Sequence, residues 1–155
     1  MKLHHDIKLF TQTLRAASQH LDIKLVFVEK DYWITLVLSR LAKSKYIDES
    51  VFKGGTSLSK GYNLIERFSE DIDLAVNRNF LGFEGNLTNS QVTTLRKTAN
   101  NYLTEVFFQA LILKFKEKGY SDVKFEIVEA ESTDQDPRII EIYYPNVILS
   151  TGYIK

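Results

Sequence analysis

The sequence predicts an α+β protein, and three observations carry that expectation. Two long segments, residues 3–21 and 90–118, repeat apolar residues at helical spacing. Short runs at 71–76, 123–129 and 139–144 have the length and β-forming composition of strands. A Gly- and Asn-rich loop at 77–89 and the break at Asp136-Pro137 interrupt these runs. Together they describe helices flanking a small mixed sheet.

Each element has its own warrant. Leu3, Ile7, Phe10, Leu14, Ala17 and Leu21 form one apolar stripe of an amphipathic helix. Residues 28–42 carry Trp33, Ile34, Leu36, Val37, Leu38 and Leu41, apolar on most faces, so a buried helix is expected. Polar Glu29-Lys30-Asp31 gathers at its start, where Lys30 and Asp31 either reach the site described below or pair as ions. Val51-Phe52 reads as a short strand ending in Gly54-Gly55, and a helix fits residues 57–66. Residues 77–89 read as loop. The long helix that follows should bury Val92, Leu95, Ala99, Leu103, Val106, Ala110 and Leu113, with Gly119 as its C-cap. Asp136-Pro137 breaks the last two strands apart. We divide the chain into an N-terminal helical segment, 1–45, packed on a core formed by 46–155, one structural domain overall.

Composition narrows the possible classes. With 44% hydrophobic and 12% aromatic residues in 155, the chain has ample material for a core. It has no cysteine, which excludes disulfides and thiolate metal sites. Its formal net charge is zero, unlike proteins that live by non-specific nucleic-acid binding. The acidic excess between Asp122 and Glu141 reads as solvated surface. Met1-Lys2-Leu3 runs directly into His4, His5 and Asp6 without a basic-then-apolar leader. The longest apolar stretch, residues 33–38, is too short to span a bilayer. A cytoplasmic protein with no membrane partner is the expectation.

Two motifs carry chemistry. Gly54-Gly55-Thr56-Ser57 sits between an expected strand and an expected helix. Adjacent glycines let the backbone turn sharply and a ligand approach it. Hydroxyls at a helix start cap free N–H groups, and those same groups bind phosphate. Lys60, one turn on, should point back toward them. The plain alternative is a common Gly-Gly turn with a Thr or Ser cap. Asp71 and Asp73, two apart in a strand, should project from one face while Ile72 and Leu74 enter the core. Such a carboxylate pair suits Mg²⁺ and two-metal phosphoryl transfer, although an exposed edge gives the same spacing. The order strand, Gly-Gly-Thr-Ser, helix, Asp-apolar-Asp brings both motifs to one end of the sheet.

With both motifs in place, Phe52-Lys53-Gly54-Gly55-Thr56-Ser57-Leu58-Ser59-Lys60 and Arg67-Phe68-Ser69-Glu70-Asp71-Ile72-Asp73-Leu74 closely resemble the AbiEii family, within the DNA-polymerase-β-like nucleotidyltransferase superfamily. Val28 to Trp33 also looks like the family's N-terminal block. The resemblance implies a toxin of a bacterial toxin–antitoxin or abortive-infection system. Such a toxin transfers a nucleotide from a nucleoside triphosphate to an RNA, tRNA-like acceptor and meets a cognate antitoxin. It implies that Asp71 and Asp73 ligate magnesium, and that Gly54, Gly55, Thr56, Ser57 and Lys60 hold the triphosphate. It leaves Arg67 and Ser69 to orient the loop or a phosphate. Superfamily members add a third carboxylate from a later strand. Glu126 and Glu141 lie in expected strands but neither is assigned that role, and family chains continue past this length.

Two further readings stay open: a catalytically incomplete module that binds nucleotide or antitoxin on the same scaffold, and an interaction domain without a ligand. His4, His5 and His20 are read as too few and too scattered for a metal site, the first two as surface. Tyr143-Tyr144 and Phe107-Phe108 are read as core and rim.

Overall fold

The computed structural model describes residues 2–44, 46, 48–64, 69–128 and 139–148. Arg67, the Asp136-Pro137 break, the acidic residues between 129 and 138 and the tail from 149 onward lie outside them.

A short 3₁₀ turn, Leu3–His5, leads into helix α1, Ile7–Leu21. Asp6 separates the two, its carboxylate accepting the Leu9 amide at 3.0 Å as an N-cap. The expected stripe is therefore cut short. Phe10 and Leu14 are buried, but Ile7 and Leu21 are 66% and 56% exposed. Helix α2, Leu25–Leu41, buries Trp33, Ile34, Val37 and Leu41, as its nearly uniform apolar composition requires. Phe10 packs on Tyr32 with ring centroids 4.8 Å apart, joining α1 to α2.

Strand β1, Ser50–Lys53, pairs antiparallel with β2, Asp73–Val76, in the register Phe52↔Leu74 and Lys53↔Asp73. Between them the chain coils at once into α3, Gly54–Thr56, which continues with wider i→i+5 turns over Ser57–Gly61. At the far end of the ladder the Asn77 amide bonds the Glu49 carbonyl at 2.8 Å. The Glu49 carboxylate accepts the Tyr102 hydroxyl at 2.6 Å, fastening this unit to the long helix. Burial, and then the Glu49 hydrogen bond, push the Tyr102 phenol well above its usual value.

The long helix runs as α4, Asn89–Asn101, a π stretch Tyr102–Phe107, and α5, Phe108–Glu117. Thr88 and Gln91 open it with a reciprocal capping box. At its end Gly119 adopts φ +72°, and the amides of Gly119 and Tyr120 bond back to Lys116 and Phe115. Up to Leu103 the expected face turns inward, but beyond it the buried residues are Phe107, Leu111 and Phe115. Val106 and Leu113 are instead 47% and 57% exposed. The π stretch accounts for the change: one extra residue in the turn rotates everything downstream by one position.

Strands β3, Lys124–Val128, and β4, Ile139–Tyr143, form a second antiparallel pair. The class is thus α+β, with the described strands in two antiparallel pairs where one mixed sheet was expected. A single core unites them. Trp33, Val37, Leu41, Phe107, Leu111, Phe115, Tyr120 and Val123 form its centre, with Ile72, Leu74, Phe125, Ile140 and Ile142 packed against it. Tyr144 stacks on Trp33 at 4.9 Å, Phe107 is buried, and Tyr143 stays on the rim. Among the described residues no helix is long and apolar enough to cross a membrane.

Candidate active site

The β1–β2 ladder sets the site. Because Lys53 lies opposite Asp73, the next residue, Gly54, turns directly beneath the Asp73 side chain. A Cβ built on Gly54 would stand 1.8 Å from Asp73 Oδ2, and Gly54 has φ +76°. Both facts require glycine there. Gly55 has no positive φ, so of the two glycines only Gly54 is required by the backbone. The Gly-Gly turn and the second aspartate are therefore in contact, at the end of the ladder where the sequence places them.

Asp71 lies just before β2 and not in it, since the strand begins at Asp73. Its position is set through the backbone: the Thr56 hydroxyl donates to the Asp71 carbonyl. Ser57 Oγ donates to the Phe52 carbonyl at 3.2 Å, and Ser59 Oγ to the Thr56 carbonyl at 3.3 Å. Thr56 is fully buried and Ser57 nearly so. These hydroxyls do not cap the helix as expected. The Thr56 and Ser57 hydroxyls point back to Asp71 and Phe52 and pin the turn, because the helix starts at Gly54 and not at Ser57. No side chain caps that start, which leaves its first amides without side-chain partners. Replacing Thr56 by Val is expected to cost about 0.5–1.5 kcal/mol, read from urea unfolding, since the Asp71 carbonyl loses its donor. An unchanged midpoint would show that this bond does not hold the turn.

Asp71 and Asp73 are exposed, and neither forms an ion pair among the described residues. Lys60 does not turn back over the glycines. Its Nζ pairs with Asp31 Oδ1 at 2.7 Å and donates to Thr35 Oγ1 at 3.1 Å, both on α2. Lys30 pairs with Glu70, next to Asp71 in sequence. The Lys30-Asp31 pair of α2 is thus split between two partners around the site and not closed on itself.

Sequence reasoning missed Glu29. It is 2% exposed, and its two carboxylate oxygens accept the amides of Val147 and Ile148 at 2.7 and 3.1 Å. A glutamate within an apolar helix was the available signal, but its partners lie 118 and 119 residues away. Tyr144 lies close by, its phenol pushed up to about 12 by burial and then by the charges of Glu29 and Glu70. Glu126 and Glu141 stand opposite each other across β3 and β4 on the exposed face, and Glu141 accepts the Tyr143 hydroxyl.

The family model described as nucleotidyl transferase AbiEii toxin, type IV TA system, matches residues 36–153. The matched region includes the whole turn, Lys60 and both aspartates, while the block from Val28 to Trp33 lies before it. No curated protein and no solved structure matches the chain. On a match over about three quarters of its length, this chain belongs to the AbiEii family of nucleotidyltransferase toxins of type IV toxin–antitoxin systems.

Proposed function

We propose that this protein is a Mg²⁺-dependent nucleotidyltransferase that moves a nucleotide from a nucleoside triphosphate to a tRNA-like RNA acceptor. The contact between the Asp73 carboxylate and the Gly54 backbone carries this reading. It sets a hard anionic oxygen donor against a turn whose amides no side chain caps.

In this reading Asp71 and Asp73 hold the metal. The donor set fits: both carboxylates are exposed, both supply oxygen, and no side chain at Gly54 intrudes between turn and ligand. When bound, Mg²⁺ supplies neutralisation of phosphate charge and activation of the acceptor hydroxyl. Neither Glu126 nor Glu141 is assigned as a third carboxylate.

The chain's own groups do the remainder. Amides of Gly54 and Gly55 offer donors to the triphosphate, as helix starts do for phosphate generally, while Thr56 is buried and the Ser57 amide bonds the Gly54 carbonyl. Thr56 and Ser57 act by fixing the turn, and their hydroxyls are spent on the carbonyls of Asp71 and Phe52. Lys60 supplies positive charge after leaving Asp31. Exposed ion pairs of this kind contribute about 0–1 kcal/mol, so a triphosphate can displace it at little cost. The acceptor oxygen then bonds to the α-phosphorus as the bond to the β-phosphate breaks, and pyrophosphate leaves. Cytoplasmic action in an abortive-infection or toxin–antitoxin role, checked by an antitoxin protein, completes the proposal.

The test incubates the full chain with Mg²⁺, total RNA and each α-labelled nucleoside triphosphate in turn. Wild type should label RNA, and the variant carrying both Asp71→Asn and Asp73→Asn should not. Nucleotide binding without any labelled RNA or protein would replace this reading with that of a binding module.

A further inference from the structure

Of the two N-terminal histidines read from sequence as surface, His5 is exposed but His4 has a different environment. His4 is only 6% exposed, enclosed by Trp33 at 4.8 Å, by Tyr120 in a stacked contact at 5.4 Å, and by Phe10 and Tyr32. Its Nδ1 shares a hydrogen bond of 2.7 Å with the Tyr32 hydroxyl. Its Nε2 is buried and has no hydrogen-bond partner among the described residues. Buried polar atoms are rarely left unpaired, and each exception calls for an explanation.

The neighbours provide one. Exposed His5 lies edge-on to His4 with ring centroids 4.6 Å apart. Exposed Asp122 arrives from the loop between Gly119 and β3, where the Val123 amide bonds the Tyr120 carbonyl at 3.3 Å. One ligand atom from each of His4, His5 and Asp122 lies within 4.8 Å of the others. Ligands of a tetrahedral zinc ion stand about 3.4 Å apart, given metal–ligand bonds of about 2.1 Å. The exposed His5 and Asp122 side chains have the rotamer freedom to close that difference.

We propose that His4, His5 and Asp122 form a site for a divalent borderline metal ion, zinc above all. Two imidazoles and one carboxylate are a nitrogen-rich set that suits zinc better than magnesium. The Tyr32 hydroxyl on Nδ1 orients the His4 ring, as outer partners of metal-bound histidines do. Burial, followed by the charge of His5, lowers the His4 pKa, with Lys2 acting the same way and Asp122 opposing. The ion would staple the N-terminal turn to the α5–β3 loop. Three protein ligands leave its fourth position to water.

The experiment titrates the chelator-treated full chain with Co²⁺, reading visible d–d absorption, and then displaces it with Zn²⁺. One equivalent should bind with tetrahedral-type bands and raise the thermal midpoint. His5→Gln and Asp122→Asn alter exposed side chains and should leave the far-UV circular dichroism unchanged. Each should weaken Co²⁺ binding by at least about tenfold. The variant with Asp71→Asn and Asp73→Asn should keep the bands. Bands that persist in both His5→Gln and Asp122→Asn, that vanish in the aspartate variant, or that never form in wild type would overturn the assignment.

Discussion

Replacing Gly54 with Ala is expected to abolish most nucleotidyl transfer while leaving the protein folded. The new methyl would stand 1.8 Å from Asp73 Oδ2, 2.7 Å from Cγ and 3.0 Å from Cβ. No small terminal motion relieves contacts with three successive atoms, so the Asp73 side chain must rotate away. A displacement of that size at a reacting group costs on the order of 100-fold in rate. The φ of +76° adds a stability cost of about 1–2 kcal/mol for any L-residue. Activity and stability therefore separate. Gly54→Ala should lose about as much transfer as Asp73→Asn, measured with labelled nucleotide, yet unfold in urea only slightly earlier than wild type. In an Asp73→Ala background the same glycine change should cost only the backbone portion and the 3.0 Å contact with the remaining Cβ. Gly61→Ala is the control, since its Cβ would meet nothing closer than Ser57 Oγ at 3.9 Å. Full activity in Gly54→Ala would detach Asp73 from the reaction.

Glu29→Ala should be the most destabilising single change outside the hydrophobic core. The carboxylate satisfies two amides at once, Val147 and Ile148, and is itself 2% exposed. Hydrogen bonds to a charged group are worth about 1.5–3 kcal/mol each, and the two share one acceptor group, so a loss of about 3 kcal/mol is expected. Glu29→Gln keeps the shape but turns an N–H₂ group toward one amide, and should fall between the two. Urea unfolding followed by the fluorescence of Trp33, which stacks on Tyr144 close to this contact, reads both variants. A loss under about 0.5 kcal/mol for Glu29→Ala would mean that the amides find water instead.

How far the sequence reaches depends on the range of the interaction concerned. Local patterns translated well. Val51-Phe52, Asp73–Val76 and Ile139–Tyr143 behave as strands because alternation and β-branching act within a few residues. The Gly54–Asp73 contact was legible because a short unit between two strands leaves few ways to close. Phase along the long helix was lost at Tyr102–Phe107, since a π turn leaves no composition signature. The hydroxyl roles of Thr56 and Ser57 were reversed because the helix starts earlier than its capping residues suggested. Lys60, Glu29 and His4 were misjudged or missed for one reason. Their partners lie 25 to 119 residues away, a separation over which spacing carries no information.

Three consecutive residues of α2 reach three distant stretches of chain: Glu29 to 147–148, Lys30 to Glu70, Asp31 to Lys60. During synthesis these ties can form only in order of emergence, Lys60 first, then Glu70, then Val147. The last closes a loop of 118 residues, whose entropy must be met by contacts made in one late event. A ribosome-bound chain that has already displayed Gly54, Asp71 and Asp73 therefore still lacks the tie at Glu29. For a toxin, that ordering means the growing polypeptide carries its reactive groups from Asp73 onward to Val147 before the helix beside them is secured.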